Sequence, residues 1–432
     1  VGEASRPVIV LLTSRFPYGP GEQFIESELP HWAQAGVDLV VLPEKNDHPD
    51  SPVRPVPPGI DVDARLTHRW EAPGWRSLGL LDALRGPEIY RDLALLRRLG
   101  LLDLRHALYV LRTGVQVAVV RRMLRRIVAE RGRIDVAYAY WLSVSADAAA
   151  LERRGGGVRH AVAGSSGVRH AVARAHNADV YEERHPLRFH PLVRQIAPDL
   201  DLLLPIASDG GSHAVQRFGF SDQQVRVNRL GVSIPKPTDR CRPTGEGELT
   251  VVSVSTMTPF KRLDLLIDAL AALSDMRPGT HLTWRHFGAG RLHDELARRV
   301  EEVLEPRGVT VEWMGQVTNR ELLDWYLEHR VDVLVNTSSS EGIPVSMMEA
   351  MARGVPVIGT DVGGVREILA EDWLMDADPT PEQVAGFIAE RADAVKDPAV
   401  REEMAARIAE RYDADANYRR FIATLTDLAR RA

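Results

Sequence analysis

The stretch VDVLVNTSSSEGIPVSMMEAMARGVPVIGTDVGGVREIL, Val331 to Leu369, decides the reading of the chain. VDVLVNT is a short apolar run ending in small polar residues, as a buried strand does where it leaves a sheet. The loop Ser338 to Gly342 follows, and Pro344 stands where a helix would begin, a favoured place for proline. Free backbone N–H groups near Val345 and Ser346 would then form a ready site for an anion such as pyrophosphate. Glu341 lies in the loop before that helix and Glu349 inside it. Two carboxylates bracketing an anion site can accept strong, directional hydrogen bonds from the hydroxyls of a sugar nucleotide. GTDVGG, Gly359 to Gly364, is a second strand-to-loop turn whose small residues let backbone approach a ligand. The plain alternative is a buried strand plus a capped helix with solvated glutamates. Either glutamate alone fits that alternative; the stretch as a whole does not.

Outward from this stretch the same alternation repeats. LTVVSVS, HLTWRHFG, VTVEWMG and VPVIGT are apolar runs, each followed by a helical pattern. In the first half VIVLLT, DLVVLP, IDVAYAYW and DLLLPI read the same way, with a helix from about Glu22 to Gln34. Alternating strands and helices predict an α/β fold with parallel sheets covered on both faces. Two such series predict two doubly wound, Rossmann-like domains, with ligands at the carboxyl ends of the strands. SIPKPTDRCRPTGEGE, Ser233 to Glu248, concentrates proline, glycine and charge and reads as a linker. The expected domains are therefore 1–234 and 235–414, with an amphipathic C-terminal helix in 415–432 packing back on the first. GVRHAVA occurs at Gly157 to Ala163 and again at Gly167 to Ala173, a near-tandem duplication that reads as a lengthened loop.

Composition narrows the class. The 432 residues, 44% of them hydrophobic, suffice for two globular cores. A formal net charge of -6 argues against nucleic acid as a partner. The single cysteine, Cys241, excludes an intrachain disulfide and fits a reducing compartment, so a cytoplasmic location is expected. VIVLLT follows Arg6-Pro7 and is short, so it reads as a first strand rather than a signal core. No stretch reaches the roughly 18 apolar residues of a membrane span.

Three further stretches carry chemistry. In VVSVSTMTPFKRLDLLIDAL, Val251 to Leu270, a strand ends in a loop and Lys261 opens a helix, where it can neutralise phosphates. Taken singly, Lys261 and Arg262 read as solvated charges. FGAG, Phe287 to Gly290, is a weak glycine signal. WMGQVTN, Trp313 to Asn319, is a strand-to-loop turn that could border a nucleobase.

Glu341, seven residues, Glu349, with Lys-Arg-Leu-Asp upstream and Gly-Ala-Gly between, resembles the retaining GT-B glycosyltransferases of family four. The first half resembles the exopolysaccharide and colanic-acid-type subset of that family. The matching runs are FPYGPGEQFIESELP, YAYWLS, RAHNADVYEER and NRLGV. The resemblance implies two domains facing across a cleft, acceptor in the first and nucleotide-sugar in the second. Glu341 would hold donor-sugar hydroxyls, Glu349 the ribose hydroxyls, and Lys261, helped by Arg262, the diphosphate. Backbone of Gly342, Ile343, Pro344, Val345 and Ser346 would face the phosphates, and Gly288 would lie in the donor site. Gly315, Gln316 and Val317 would lie along the base. Gly19 and Gly21 would lie near the diphosphate or acceptor, and His176 near the transferring sugar. Two positions depart from the family's pattern. Thr256 stands where an arginine is common, and Asn177 follows His176 where glycine is usual.

The implied reaction keeps anomeric configuration, with UDP- or GDP-linked sugar as co-substrate and no cofactor. The acceptor is a glycan, a lipid-linked carrier or a small molecule. Asp-X-Asp pairs at Asp61/Asp63, Asp199/Asp201, Asp376/Asp378 and Asp413/Asp415 read as solvated or capping carboxylates, and no essential metal is expected. A glycosidase pair of Glu341 and Glu349 would leave the phosphate site without a purpose. The basic helical pattern Arg112 to Arg133 suggests peripheral contact with an anionic membrane, against the alternative of a solvated arginine-rich face. Two other classes stay open: a non-catalytic nucleotide-sugar-binding partner or regulatory subunit, and a sugar-nucleotide epimerase.

Overall fold

The computed structural model describes residues 6–431 except 20, 49, 51, 71, 164–166 and 186, and the backbone alone of 23, 156–163, 177, 178 and 184. Two compact units result: Val1–Leu230 with Asp415–Ala432, and Gly231–Ala414.

The first unit holds β1 (Val8–Thr13), β2 (Asp38–Pro43), β3 (Asp61–Val62), β4 (Ile134–Ala139), β5 (Val168–Ala175) and β6 (Leu202–Pro205). They form one sheet in the order β3-β2-β1-β4-β5-β6, every pair parallel. Side chains alternate across it. Val10 and Leu12 face one cluster with Val120 and Leu124, while Ile9 and Leu11 face another with Trp32, Phe421 and Leu425. Burial on both faces is why these strands read as unbroken apolar runs. Helix Ala414–Arg430 supplies Phe421, Ile422 and Leu425 to the second cluster. Beneath the phenyl ring of Phe421 lies Arg174, fully buried and paired with buried Glu28 at 2.9 Å.

The second unit holds β7 (Glu248–Val254), β8 (His281–Phe287), β9 (Thr310–Gly315), β10 (Val333–Asn336), β11 (Val357–Thr360) and β12 (Leu374–Met375), ordered β12-β11-β10-β7-β8-β9 and again parallel.

Several expectations are corrected. GVRHAVA is no loop: residues 157–163 close the helix Val144–Ala163, and 168–173 lie in β5, in the middle of a sheet. Residues 233–247 are not a free linker. Thr244 donates from N (2.9 Å) and Oγ1 (2.6 Å) to buried Asp332, and Arg401 holds the carbonyl of Cys241 at 3.1 Å. The basic pattern belongs to helix Leu104–Arg131, and six of the seven arginines from Arg112 to Arg133 pair with acids. That face therefore offers little net charge to a membrane. The Asp-X-Asp carboxylates are mostly arginine counterions: Asp61 to Arg131, Asp63 to Arg65, Asp199 to Arg154, Asp201 to Arg153 and Asp378 to Arg262. Among the described residues no helix is long and apolar enough to cross a membrane.

Candidate functional site

In the second unit the loops after β7, β8, β9, β10 and β11 all leave the carboxyl edge of one sheet. Helix Val345–Ala352 starts after β10. Pro344 is its N-cap rather than its first helical residue, and no side chain caps it. The N–H groups of Val345 and Ser346, both half-buried, thus have no partner within the helix. Ile343 is buried and Gly342 half-buried just ahead of them.

Glu341 gathers three donors on one oxygen. Oε1 accepts from Lys261 Nζ (2.6 Å), Ser338 Oγ (2.6 Å) and Asn336 Nδ2 (3.1 Å). Oε2 has no donor among the described residues, so it is available to a hydroxyl. About one turn into the helix, Glu349 accepts from Asn319 Nδ2 at 2.5 Å through Oε1. Burial pushes the Glu349 carboxyl up, against the pull of Asn319 and Arg353. Two carboxylates and a cation therefore surround an uncapped helix terminus, a set able to hold hydroxyls and an anion together.

The supporting contacts reassign several expected ligands. Arg262, in the left-handed region at φ 49°, donates to the carbonyls of Thr337 (2.6 Å), Ser338 (3.2 Å) and Ala377 (2.8 Å) and to Asp378 (2.8 Å). Its fork is spent on holding loops, so it positions the site rather than meeting a phosphate. Gly288 faces protein backbone: a Cβ there would stand 1.9 Å from the Ser255 carbonyl oxygen. The turn Gly359 to Gly364 behaves likewise. A Cβ on Gly363 would stand 2.0 Å from the Glu341 carbonyl oxygen, and Gly364 N–H donates to Gly342 at 2.8 Å. These glycines let one loop brace another. Thr256 is exposed and brings no charge to the loop after β7.

Gly315 ends β9, its carbonyl accepting from Gly288 N–H at 2.8 Å. Gln316 is exposed and Val317 half-buried. Sequence reasoning missed Asn319, Asn336, Ser338 and Thr337, whose hydroxyl donates to the carbonyls of Lys261 (3.1 Å) and Arg262 (3.0 Å). Only Asn319 had a local signal, the capping box of Thr318 and Glu321 around it.

In the first unit a second group lies at strand carboxyl ends. His176 follows β5. Both its ring nitrogens are buried without a hydrogen-bond partner among the described residues, and its ring centroid lies 4.2 Å from that of Trp141. Trp141 Nε1 donates to Glu22 at 2.7 Å. Glu22, itself left-handed at φ 55°, also accepts from the N–H groups of Ser14 (2.8 Å), Arg15 (2.8 Å) and Phe16 (2.7 Å). The anion cradle after β1 is therefore filled by the chain's own carboxylate, which argues against a diphosphate there. Gly19 packs on His48, whereas Gly21 borders open space. Glu44, just past β2, accepts from Ser145 Oγ at 2.6 Å, and burial pushes its carboxyl up to about 7. Neither Glu22 nor Glu44 stood out in the sequence, because each lone glutamate reads as solvated until its partners are placed.

Two six-stranded parallel sheets flanked by helices make this a GT-B fold. Residues 248–396 match the family described as glycosyl transferases group 1. It is 29% identical over 224 residues to the colanic acid biosynthesis glycosyltransferase WcaL of Escherichia coli K12, covering 50% of this chain and 52% of the relative. It is 28% identical over 208 residues to the amylovoran biosynthesis glycosyltransferase AmsK of Erwinia amylovora, covering 46% and 49%. The chain spans about half the length of the curated relatives it matches. Among solved structures, Anabaena Alr3699/HepE in complex with UDP superposes with a TM-score of 0.62 at 16% identity, over 98% of this chain and 100% of that one. Sucrose-phosphate synthase from Thermosynechococcus elongatus gives 0.65 at 15%, over 98% and 99%. At such identities the likeness is one of fold.

Proposed function

We propose that this chain transfers a sugar from a nucleoside-diphosphate sugar to an acceptor hydroxyl, with retention of anomeric configuration, in polysaccharide or glycoconjugate assembly. The observation that carries this reading is the Lys261–Glu341 pair, 2.6 Å apart, beside the uncapped terminus of helix Val345–Ala352. Lys261 and the N–H groups of Val345 and Ser346 take the diphosphate. Glu341 Oε2 takes a donor-sugar hydroxyl, and Glu349 takes the ribose. The acceptor belongs to the first unit, where the ring nitrogens of buried His176 have no hydrogen-bond partner among the described residues and Nδ1 lies 3.9 Å from Asp179. The acceptor oxygen attacks the anomeric carbon on the face the diphosphate leaves, and a leaving phosphate oxygen receives the proton. No enzyme base is required; the protein orients both substrates and stabilises charge on the departing diphosphate. WcaL and AmsK are named for polysaccharide biosynthesis, which supports that setting. The HepE structures hold UDP and UDP-glucose, which makes the uridine nucleotide the first to try.

The test is calorimetry with UDP and GDP on the wild type and Glu349→Ala. One nucleotide is expected to bind, about 10- to 100-fold weaker in the variant, as for loss of hydrogen bonds to a charged group. Binding of neither nucleotide to the wild type above millimolar affinity rejects the proposal.

A further inference from the structure

Sixteen large hydrophobic residues are exposed among the described residues, and ten of them lie between Leu78 and Leu108. Leu81 is 50% exposed, Leu99 53%, Leu104 75% and Leu108 55%. The stretch contains helix Pro73–Arg85, helix Pro87–Arg98 and the start of helix Leu104–Arg131. The first packs on the third through Gly79 and Ala83, which meet Val115 and Gly114. At 100° per residue, Leu81 and Leu84 then fall on the outer side. Ile89 and Leu96 of the second helix pack with Val110 of the third, which turns Tyr90 and Arg97 outward. A concentration of exposed leucines on three mutually packed helices is unusual for a surface that stays in water.

Charge on the same stretch is one-sided. Arg85, Arg91, Arg97, Arg98 and Arg105 are exposed and pair with no carboxylate among the described residues. All four acids of the stretch are engaged. Glu88 is buried and pairs with Arg154, Asp92 is buried and accepts from Leu192 N–H, Asp82 pairs with Arg122, and Asp103 caps a helix. At the junction of the first two helices a cavity of about 400 Å³ is lined by Arg85, Arg121, Arg125 and Arg154 together with Asp82 and Glu88. Arg121 and Arg125 pair with Glu152 and Arg154 with Glu88, which leaves Arg85 as the arginine of that lining without a carboxylate among the described residues.

We infer that the surface from Leu78 to Leu108 docks on an anionic lipid bilayer, its leucines entering the headgroup boundary and its arginines meeting lipid phosphates. Leucines with unpaired arginines match such a surface in both respects. A second copy of the chain fits less well: a twofold contact would set the five arginines against themselves. The inference is independent of the sugar-transfer reading, since it uses none of that site's residues. It also relocates the membrane contact from the ion-paired face of helix Leu104–Arg131 to the uncompensated surface beside it.

Vesicle sedimentation tests it with the whole chain. Vesicles of phosphatidylglycerol and phosphatidylcholine are compared with phosphatidylcholine alone, at low and high salt. The wild type is expected to bind only the anionic vesicles, more tightly at low salt. The charge reversal Arg97→Glu/Arg98→Glu/Arg105→Glu should weaken binding roughly fivefold or more per arginine. Leu102→Ser/Leu104→Ser/Leu108→Ser should weaken it about tenfold or more, at both salt concentrations. All six positions are exposed, and circular dichroism checks that each variant is folded. No binding by the wild type, or equal binding by all three proteins, overturns the inference. So does a serine variant that only converts a dimer to a monomer in sedimentation velocity, which would assign the surface to a second copy.

Discussion

Lys261 Nζ lies 2.6 Å from Glu341 Oε1, so the cation proposed to meet a diphosphate is already half of an ion pair. Thr256 adds no charge beside it, and Arg262 is committed to carbonyls and Asp378. A bound diphosphate therefore competes with Glu341 for the Lys261 ammonium and can draw it away. The exchange is feasible because Glu341 keeps Ser338 and Asn336 as donors when the lysine leaves. Opposite effects on binding and turnover follow. Glu341→Gln frees Lys261, so nucleotide affinity should hold or rise, while sugar transfer or donor hydrolysis falls by about 100-fold as sugar contacts are lost. Lys261→Ala should weaken the nucleotide about 10- to 100-fold. Calorimetry with whichever of UDP and GDP binds, together with nucleotide release from its sugar-linked form, reads both. Equal loss of nucleotide affinity in the two variants would show that no exchange occurs.

At the scale of elements, the turn after β2 and the first turn of helix Val144–Ala163 meet through Ser145 Oγ and Glu44. Burial raises Glu44 from its ordinary 4.5 to about 7, despite the Ser145 hydrogen bond and nearby Lys45. Between those values the folded chain holds a proton that the unfolded chain has released. Stability therefore falls as pH rises through that window, and above pH 7 the full cost, about 3 kcal/mol, is in place. Glu44→Gln should match the wild type near pH 4 and exceed it in urea midpoint at pH 8; a gap constant across pH would show that Glu44 is not the group. The same turn shows what sequence can carry. β1, β2 and β7 were legible because burial on both faces leaves continuous apolar runs. β5 was not: VRHAVARA contains Arg169, His170 and Arg174, which read as polar until Asp135, Asp201 and Glu28 are placed against them. Its heptapeptide also ends a helix, so context rather than local preference decides its form. In the candidate site, Lys261 and Glu341 stood out because each follows a strand in a chemically meaningful loop. The bond from Asn319 to Glu349 and the commitments of Arg262 join residues distant in sequence, and no single window reveals them.

For the whole molecule, each unit has its own sheet and its own buried apolar residues, so each is expected to have its own stability. Phe421 is 3% exposed, with its ring centroid 5.2 Å from that of Tyr138 and 4.7 Å from the Arg174 guanidinium. Phe421→Ala should cost the first unit about 3–5 kcal/mol through the lost side chain and the cavity left behind. Gly288→Ala acts on the second unit. It sets a Cβ 1.9 Å from the Ser255 carbonyl oxygen at φ 138°, so backbone must move, at a cost on the order of 3 kcal/mol. A nucleotide bound to the second unit stabilises it by about 2.7 kcal/mol at a hundred times its dissociation constant. Hydrogen exchange followed by mass spectrometry separates the three effects, because peptides from β4 and β7 report on different units. Phe421→Ala should speed exchange in β4 and leave β7 protected, and Gly288→Ala should do the reverse. Nucleotide should restore protection to β7 in the Gly288→Ala chain without touching β4 in the Phe421→Ala chain. If each perturbation moves both peptides equally, the units unfold as one cooperative body. If nucleotide protects β4 alone, the donor site belongs to the first unit, and the roles proposed for Lys261, Glu341 and Glu349 fall with it.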